Sequence, residues 1–83
     1  METITKRTLS GEKVTFELIK ERFSRSVMWI WVKRNGVFYL RVEQTKNPGI
    51  CKIRKFCRGY GWLSMGELFA DFQKLTILDL CNF

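Results

Sequence analysis

The dipeptide Asn35-Gly36 is the feature that most constrains how this chain can fold. It separates two stretches rich in apolar residues, Val27–Lys33 and Val37–Gln44. Asn-Gly favours the two-residue turn of a β-hairpin, because both of its residues readily adopt a positive φ angle. The sequence therefore predicts an antiparallel hairpin centred on Asn35-Gly36.

A two-residue turn also predicts which residues of the hairpin share a face, since cross-strand partners lie on the same side. The expected pairs are Arg34 with Val37, Lys33 with Phe38, Trp31 with Leu40 and Trp29 with Val42. One face then carries Val27, Trp29, Trp31, Phe38, Leu40 and Val42, and the other carries Met28, Ile30, Val32, Tyr39, Arg41 and Glu43. We predict that the first face belongs to the core and that its tryptophans are core residues; the alternative is that they form a ligand platform.

Before the hairpin, Ser10-Gly11 separates two stretches with strand character, Thr3–Leu9 and Lys13–Ile19. Apolar and polar residues alternate along the second stretch, which is the period of a half-buried strand. The alternative is a helix over residues 12–23, capped by Ser10, with apolar residues at helical spacing (Phe16, Ile19 and Phe23). We favour strands, because β-branched and aromatic residues cluster there.

After the hairpin, Lys46–Gly49 contains Pro-Gly and predicts a turn. A long extended segment, Ile50–Leu63, is expected next. Ser64 and Glu67 have the spacing of a capping box, and an apolar stripe follows (Leu68, Phe69, Phe72 and Leu75), so we predict a helix and then a short strand, Thr76–Leu80. The predicted fold is a single α+β domain over residues 1–83: a small antiparallel meander packed on one C-terminal helix, with a short final strand.

The net charge of +7 is concentrated in the middle of the chain. Residues 1–21 sum to zero and residues 59–83 sum to −2, whereas residues 22–58 carry ten bases and one acid, Glu43, a net of +9. Such a segment attracts phosphate groups or an acidic partner. Six of the ten bases are arginine, which binds phosphate and stacks on rings better than lysine does.

Basic and aromatic residues also share one side of the extended segment when it is treated as a single strand over residues 50–64. That side carries Lys52, Arg54, Phe56, Arg58, Tyr60 and Trp62, and the other carries Cys51, Ile53, Lys55, Cys57, Gly59, Gly61 and Leu63. Cations follow the phosphates of single-stranded nucleic acid and rings stack on its bases. We therefore predict a binding site formed by these six residues together with Arg41, and we expect the two glycines to let the helix approach closely.

The octamer from Arg58 to Met65, Arg-Gly-Tyr-Gly-Trp-Leu-Ser-Met, resembles the RNP1 motif of RNA-recognition motifs, and its Gly-Tyr-Gly-Trp-Leu centre is similar to the cold-shock version. The resemblance covers eight residues and has Met65 in place of the final aromatic residue. It implies that Arg58 contacts phosphate, while Tyr60 and Trp62 stack on bases across an open sheet. The alternative is that Gly-Tyr-Gly-Trp forms a loop and that the rings of Tyr60 and Trp62 pack over the helix as core.

The composition argues against catalysis and against a metal centre. The chain has no histidine, which is the commonest general base and metal ligand. Its three cysteines, Cys51, Cys57 and Cys81, fall short of the four ligands of a structural zinc site and are expected to be buried, reduced thiols. We predict no enzyme activity, no catalytic residue, no metal and no cofactor. With no signal peptide and no apolar run that could cross a bilayer, we expect a soluble, cytoplasmic protein without membrane contact.

Three functions fit these features. The first is a non-enzymatic module that binds single-stranded nucleic acid, or the nucleic-acid groove of a nucleoprotein complex. The second is a small inhibitor of the anti-CRISPR type, encoded by mobile elements, that acts by protein–protein contact on a host nucleoprotein complex. The third is a structural subunit that forms a homodimer through an exposed sheet face carrying Met28, Ile30 and Val32.

Overall fold

Strand-forming residues make up most of the chain, and the computed structural model arranges them in one antiparallel sheet. The structure describes residues 2–22 and 28–81. The six strands are β1 (Glu2–Arg7), β2 (Lys13–Arg22), β3 (Met28–Arg34), β4 (Val37–Gln44), β5 (Cys51–Cys57) and β6 (Gly61–Leu68), and they lie in the sheet in chain order. The predicted meander is confirmed. The alternative helix is wrong over residues 13–22, and Phe23 lies outside the described residues.

Alternating apolar side chains of the central strands form the core on one side of this sheet. Val14, Phe16 and Leu18 of β2 are at most 6% exposed. The core side chains of the next three strands are at most 1% exposed; they are Ile30, Val32, Leu40, Val42, Cys51 and Ile53. The period-two pattern of the strands therefore determines which side is buried.

The Asn35-Gly36 turn forms as predicted, and both of its residues have positive φ, 51° and 80°. Lys33 pairs with Phe38 as expected, but Val32 then pairs with Leu40 and leaves Tyr39 as an extra residue in β4. This β-bulge shifts the register by one residue, and a shift of one exchanges the faces of the partner strand.

The bulge corrects the predicted hairpin faces. Trp31 pairs with Arg41, and Trp29 pairs with Glu43, instead of pairing with Leu40 and Val42. The core side of the hairpin is formed by Ile30, Val32, Leu40 and Val42. The prediction that Trp29, Trp31 and Phe38 are core residues on the Leu40 side is wrong; Val27 lies outside the described residues. Ile30 and Val32 are fully buried, so the predicted dimer surface built on them is not exposed.

The segment predicted as one long strand is instead a hairpin. Residues 58–60 form the turn between β5 and β6, in which the Tyr60 N–H donates to the Cys57 carbonyl oxygen at 3.0 Å. Gly59 and Gly61 have φ angles of 89° and 78°, values that favour glycine, and a Cβ on either would meet nothing within 4 Å. The glycines serve the turn, and the expectation that they admit a close helix is wrong.

The predicted helix from Ser64 does not form, because β6 continues through Leu68 and pairs with β5. A 3₁₀ turn, Phe72–Lys74, and a short helix α1, Ile77–Leu80, follow; α1 lies where a strand was predicted. Asp79 Oδ2 accepts from the Thr76 N–H at 2.9 Å at the start of α1.

This C-terminal segment covers the core side of the sheet. Its buried side chains, Phe72, Leu75, Ile77, Leu80 and Cys81, pack in the same cluster as those of β2–β5. Glu2 of β1 joins the two layers, since its Oε2 accepts from the Ile77 N–H at 2.9 Å. The fold is mostly β, with far less helix than predicted. No helix in the described ranges has the length and apolar character needed to cross a bilayer.

Candidate binding face

The side of the sheet opposite the core carries a cluster of five aromatic rings, which we call the aromatic face. It consists of Trp29 and Trp31 of β3, Phe38 of β4, Phe56 of β5 and Trp62 of β6. Phe38 and Phe56 are 46% and 40% exposed, and the three tryptophans are half-buried. No element in the described residues packs over this cluster, because the C-terminal segment lies on the other side. A ring cluster on the open side of a sheet is typical of an interaction surface.

Most of the ring pairs pack edge to face, and the Trp31–Phe38 pair is tilted. Trp31 is central, with ring centroids 5.5 Å from Trp29, 5.2 Å from Phe38 and 5.5 Å from Trp62. Phe56 joins the cluster at 5.3 Å from Trp62, its partner across the β5–β6 pair. Edge-to-face pairs of this kind contribute about 0.5–1.5 kcal/mol each beyond area burial. The cluster therefore holds its own shape without a covering layer.

Arg41 of β4 lies among the three tryptophans. Its guanidinium carbon is 4.6 Å from the ring centroid of Trp29, 5.2 Å from that of Trp62 and 5.6 Å from that of Trp31. Cation–π contacts of this kind contribute from about 0.5 to 2 kcal/mol as the cation loses water. The Arg41 side chain is only 17% exposed. It organises the tryptophans instead of projecting into solvent.

Glu43 connects Arg41 to the neighbouring strand. Its Oε2 accepts from Arg41 Nε at 2.9 Å and from Arg54 Nε at 2.7 Å, and Arg41 Nη2 is 2.7 Å away. Arg41 and Arg54 are direct partners across β4 and β5, where two like charges repel. The single carboxylate offsets this repulsion.

The structure brings together five of the seven residues predicted for the binding site. Arg41, Lys52, Arg54, Phe56 and Trp62 lie on the open side of the sheet. The other two lie in the β5–β6 turn, where Tyr60 is 81% exposed and Arg58 is also exposed. The RNP1-like octamer thus begins in a turn and continues into β6.

Sequence reasoning missed Trp29, Trp31 and Phe38 as members of this surface. One available signal was the neighbouring pair Ile30 and Val32, whose β-branched side chains fit a buried position better than tryptophan does. The bulge decides which face of β3 lies on the core side, and it depends on the packing of the whole sheet; the residues around Tyr39 carry no local signature of it.

The basic segment of residues 22–58 is divided between the two sides of the sheet. Lys33, Arg41, Lys52 and Arg54 lie on the open side, with the Lys33 ammonium nitrogen 5.0 Å from the Phe38 ring centroid. Arg34 and Lys55 lie on the other side, where they flank the Tyr39 ring at 5.9 and 5.0 Å. Arg22 is exposed at the end of β2, Lys46 and Arg58 are in turns, and Arg25 lies outside the described residues. The aromatic face therefore receives only part of the positive charge.

The cavities and cysteines lie apart from the aromatic face. One cavity of about 190 Å³ is lined by Lys6, Arg7, Thr8, Val14, Phe16, Arg34 and Cys81 on the core side. The cysteines are free thiols; Cys51 and Cys81 are buried and Cys57 is half-buried. Burial raises the pKa of the Cys51 thiol, and the negative charge of Asp71 adds to the effect. Within the described residues, no group of three metal-ligating side chains converges.

Comparisons of the chain with protein-family models, curated proteins and solved structures gave no match.

Proposed function

We propose that the protein is a non-enzymatic module that binds single-stranded nucleic acid through the aromatic face. The observation that carries the proposal is the presence of five rings on the open side of the sheet with Lys33, Lys52 and Arg54 among them. Flat rings stack on bases whatever their sequence, and cations follow the phosphates. We therefore expect affinity with little sequence preference.

The shape of the surface favours an extended ligand. Phe38 and Phe56, its two most exposed rings, belong to different strands, and Tyr60 is exposed in the adjoining β5–β6 turn. A strand of nucleic acid can cross several β-strands, whereas a compact metabolite needs an enclosing pocket.

The experiment measures binding of the full chain to a labelled 20-nucleotide oligo(dT), an oligo(U) of the same length and a duplex, over a salt series. We expect the single strands to bind more tightly than the duplex, with affinity that falls steeply as salt rises. Phe56→Ala is expected to weaken single-strand binding at least about fivefold, since each stacked base contributes ~1–3 kcal/mol.

Phe69→Ala is the matched control, because the Phe69 ring is 81% exposed but lies outside the aromatic face. It should leave binding unchanged, and thermal melts of both variants report whether the fold is intact. Absence of saturable binding to either single strand at 50 mM salt would overturn the proposal. Equal effects of Phe56→Ala and Phe69→Ala would also overturn it.

A protein partner is the second candidate, favoured by the composition of the face. Tryptophan and arginine dominate the energetics of protein interfaces, and Arg41 already covers part of the tryptophan surface that bases would use. An inhibitor that acts on a nucleoprotein complex would use the face in this way. It would capture the intact complex with little dependence on salt and bind free oligonucleotide weakly.

A further inference from the structure

The carboxylate of Glu43 occupies a position that an anionic ligand would also favour. Its Oε2 lies 2.7 Å from both Arg54 Nε and Arg41 Nη2, and the Glu43 side chain is 19% exposed at the surface of the aromatic face. Two arginines that converge on one oxygen form the geometry in which proteins bind phosphate. This anion site is filled from within the chain.

The two arginines differ in how strongly the fold holds them. Arg41 is 17% exposed and contacts three tryptophan rings in addition to Glu43. Arg54 is 34% exposed, and Glu43 holds it through Nε. Its exposed guanidinium can therefore exchange one anion for another while Arg41 stays in place.

We infer that the Arg54 guanidinium is a phosphate subsite of the aromatic face, and that Glu43 is an internal competitor that a backbone phosphate of single-stranded nucleic acid displaces. The inference rests on the proposed function, because it specifies where a phosphate binds on that surface. Glu43 lowers the affinity for a phosphate ligand, since the ligand must replace a charge-assisted hydrogen bond between Glu43 and Arg54. A strand of closely spaced phosphates meets this requirement better than a single monoanion does.

The consequence is a defined change in salt dependence. Single-strand binding weakens with salt by about 0.7 logarithmic units per decade for each phosphate neutralised. In the wild type a phosphate only replaces the Glu43 carboxylate at Arg54, and the freed carboxylate takes up a cation, so this contact adds no net counterion release. Without the Glu43 charge the same contact releases one more counterion, so the slope for oligo(dT) should steepen by about 0.7. If wild type and variant converge at 1 M salt, the gain is about eightfold at 50 mM and about threefold at 200 mM.

The experiment compares Glu43→Gln with Glu67→Gln in oligo(dT) binding across the same salt series. Glu67 lies on the same side of the sheet, opposite Lys52, and is exposed, so both variants change the net charge by the same amount. We expect the steeper slope only in Glu43→Gln. The gain should disappear when Arg54→Ala is added, because the subsite is then absent. Thermal melts establish that each variant is folded.

The outcomes separate the subsite from the proposed function. If wild type binds oligo(dT) and the Glu43→Gln and Glu67→Gln slopes agree, the subsite is refuted while the proposed function stands. Weaker binding by folded Glu43→Gln also refutes it, since Glu43 would then support binding. If wild type, Glu43→Gln and Glu67→Gln all fail to bind, the proposed function itself is wrong. Should Glu43→Gln unfold, Glu43→Asp is used; its shorter carboxylate retracts from Arg54, and unchanged binding and slope would refute the subsite.

Discussion

Deleting Tyr39 should preserve both faces of the sheet, although the residue lies inside a strand. Tyr39 is the extra residue between the Lys33–Phe38 and Val32–Leu40 pairs. Without Tyr39, the two-residue turn still pairs Lys33 with Phe38 and Val32 with Leu40, now as consecutive pairs of a regular antiparallel ladder. The aromatic face therefore stays on the open side. Deletions within strands ordinarily exchange the faces of everything that follows.

The cost of the deletion comes from the contacts of the Tyr39 ring. The ring packs edge to face on Phe16 with centroids 6.0 Å apart, and Lys55 and Arg34 lie 5.0 and 5.9 Å from its centroid. An aromatic pair contributes about 0.5–1.5 kcal/mol, and an exposed cation–π contact contributes about 0.5–1 kcal/mol. The regular ladder offsets part of the lost contact energy, so we expect the free energy of unfolding to fall by about 1–3 kcal/mol. For a chain of this size, Tm should fall by about 5–20 °C.

Deletion of Arg41 is the control, because it also removes one residue from β4. Glu43 would then take the place of Val42, which is fully buried, and an unpaired charge in the core costs several kcal/mol. We expect this variant to be unfolded.

The assay is thermal unfolding followed by circular dichroism, with nuclear Overhauser contacts between the Trp31 and Trp62 rings as the readout of the face. The Tyr39 deletion should melt cooperatively and retain these contacts. If it is as unfolded as the Arg41 deletion, or if it folds without the Trp31–Trp62 contacts, the bulge does not set the faces and the reasoning fails.

Three further changes test individual contacts. Arg41→Ala should lower the free energy of unfolding by about 2–3 kcal/mol in denaturant titrations, because three ring contacts and an ion pair are lost; an unchanged midpoint would contradict this. Cys57 should react with iodoacetamide before the buried Cys51. The free energy of unfolding should fall above about pH 9, because burial raises the Cys51 pKa above its ordinary value of 9.0 while the thiol of the unfolded chain ionises. Cys51→Val should remove this loss of stability at alkaline pH in pH-dependent melts. Glu2→Gln replaces a charged acceptor of the Ile77 N–H and should lower Tm by about 4–8 °C, with an unchanged Tm as the contrary result.

Local patterns were sufficient to predict the first four strands and the central turn. Alternation along β2 places Val14, Phe16 and Leu18 on the core side, and Asn35-Gly36 forms the expected turn. These features depend on residues close in sequence, because side-chain period and turn preference act within a few positions.

The assignment of faces in β3 failed because it depends on the register of β4. Residues 28–32 of β3 are all apolar, so the strand by itself permits either of its faces to be buried. A two-residue turn without a bulge then favours the wrong face. Burying Ile30 and Val32 with Leu40 and Val42 fills the core with aliphatic side chains, and Tyr39 is displaced to reach that register. Which face of β3 gives the more stable fold when buried is a property of the whole sheet.

The C-terminal prediction failed for a related reason. Ser64 and Glu67 have helical spacing, yet β5 offers a free strand edge, and pairing with it satisfies backbone groups of Gly61–Leu68 that face β5. Phe69, which the helical stripe required to be buried, is 81% exposed. Backbone pairing with the preceding strand outweighs a local capping signal here.

The arrangement of the tryptophans has an optical consequence. The chain has three tryptophans, Trp29, Trp31 and Trp62, and all of them lie within the aromatic face. Indole emission depends on the polarity around the ring, and rings about 5.5 Å apart couple electronically. The tryptophan emission and the tryptophan bands of the near-ultraviolet dichroism are therefore spectra of this one surface. A ligand that stacks there should change both signals in the unlabelled chain, whereas an event on the core side should leave them nearly constant.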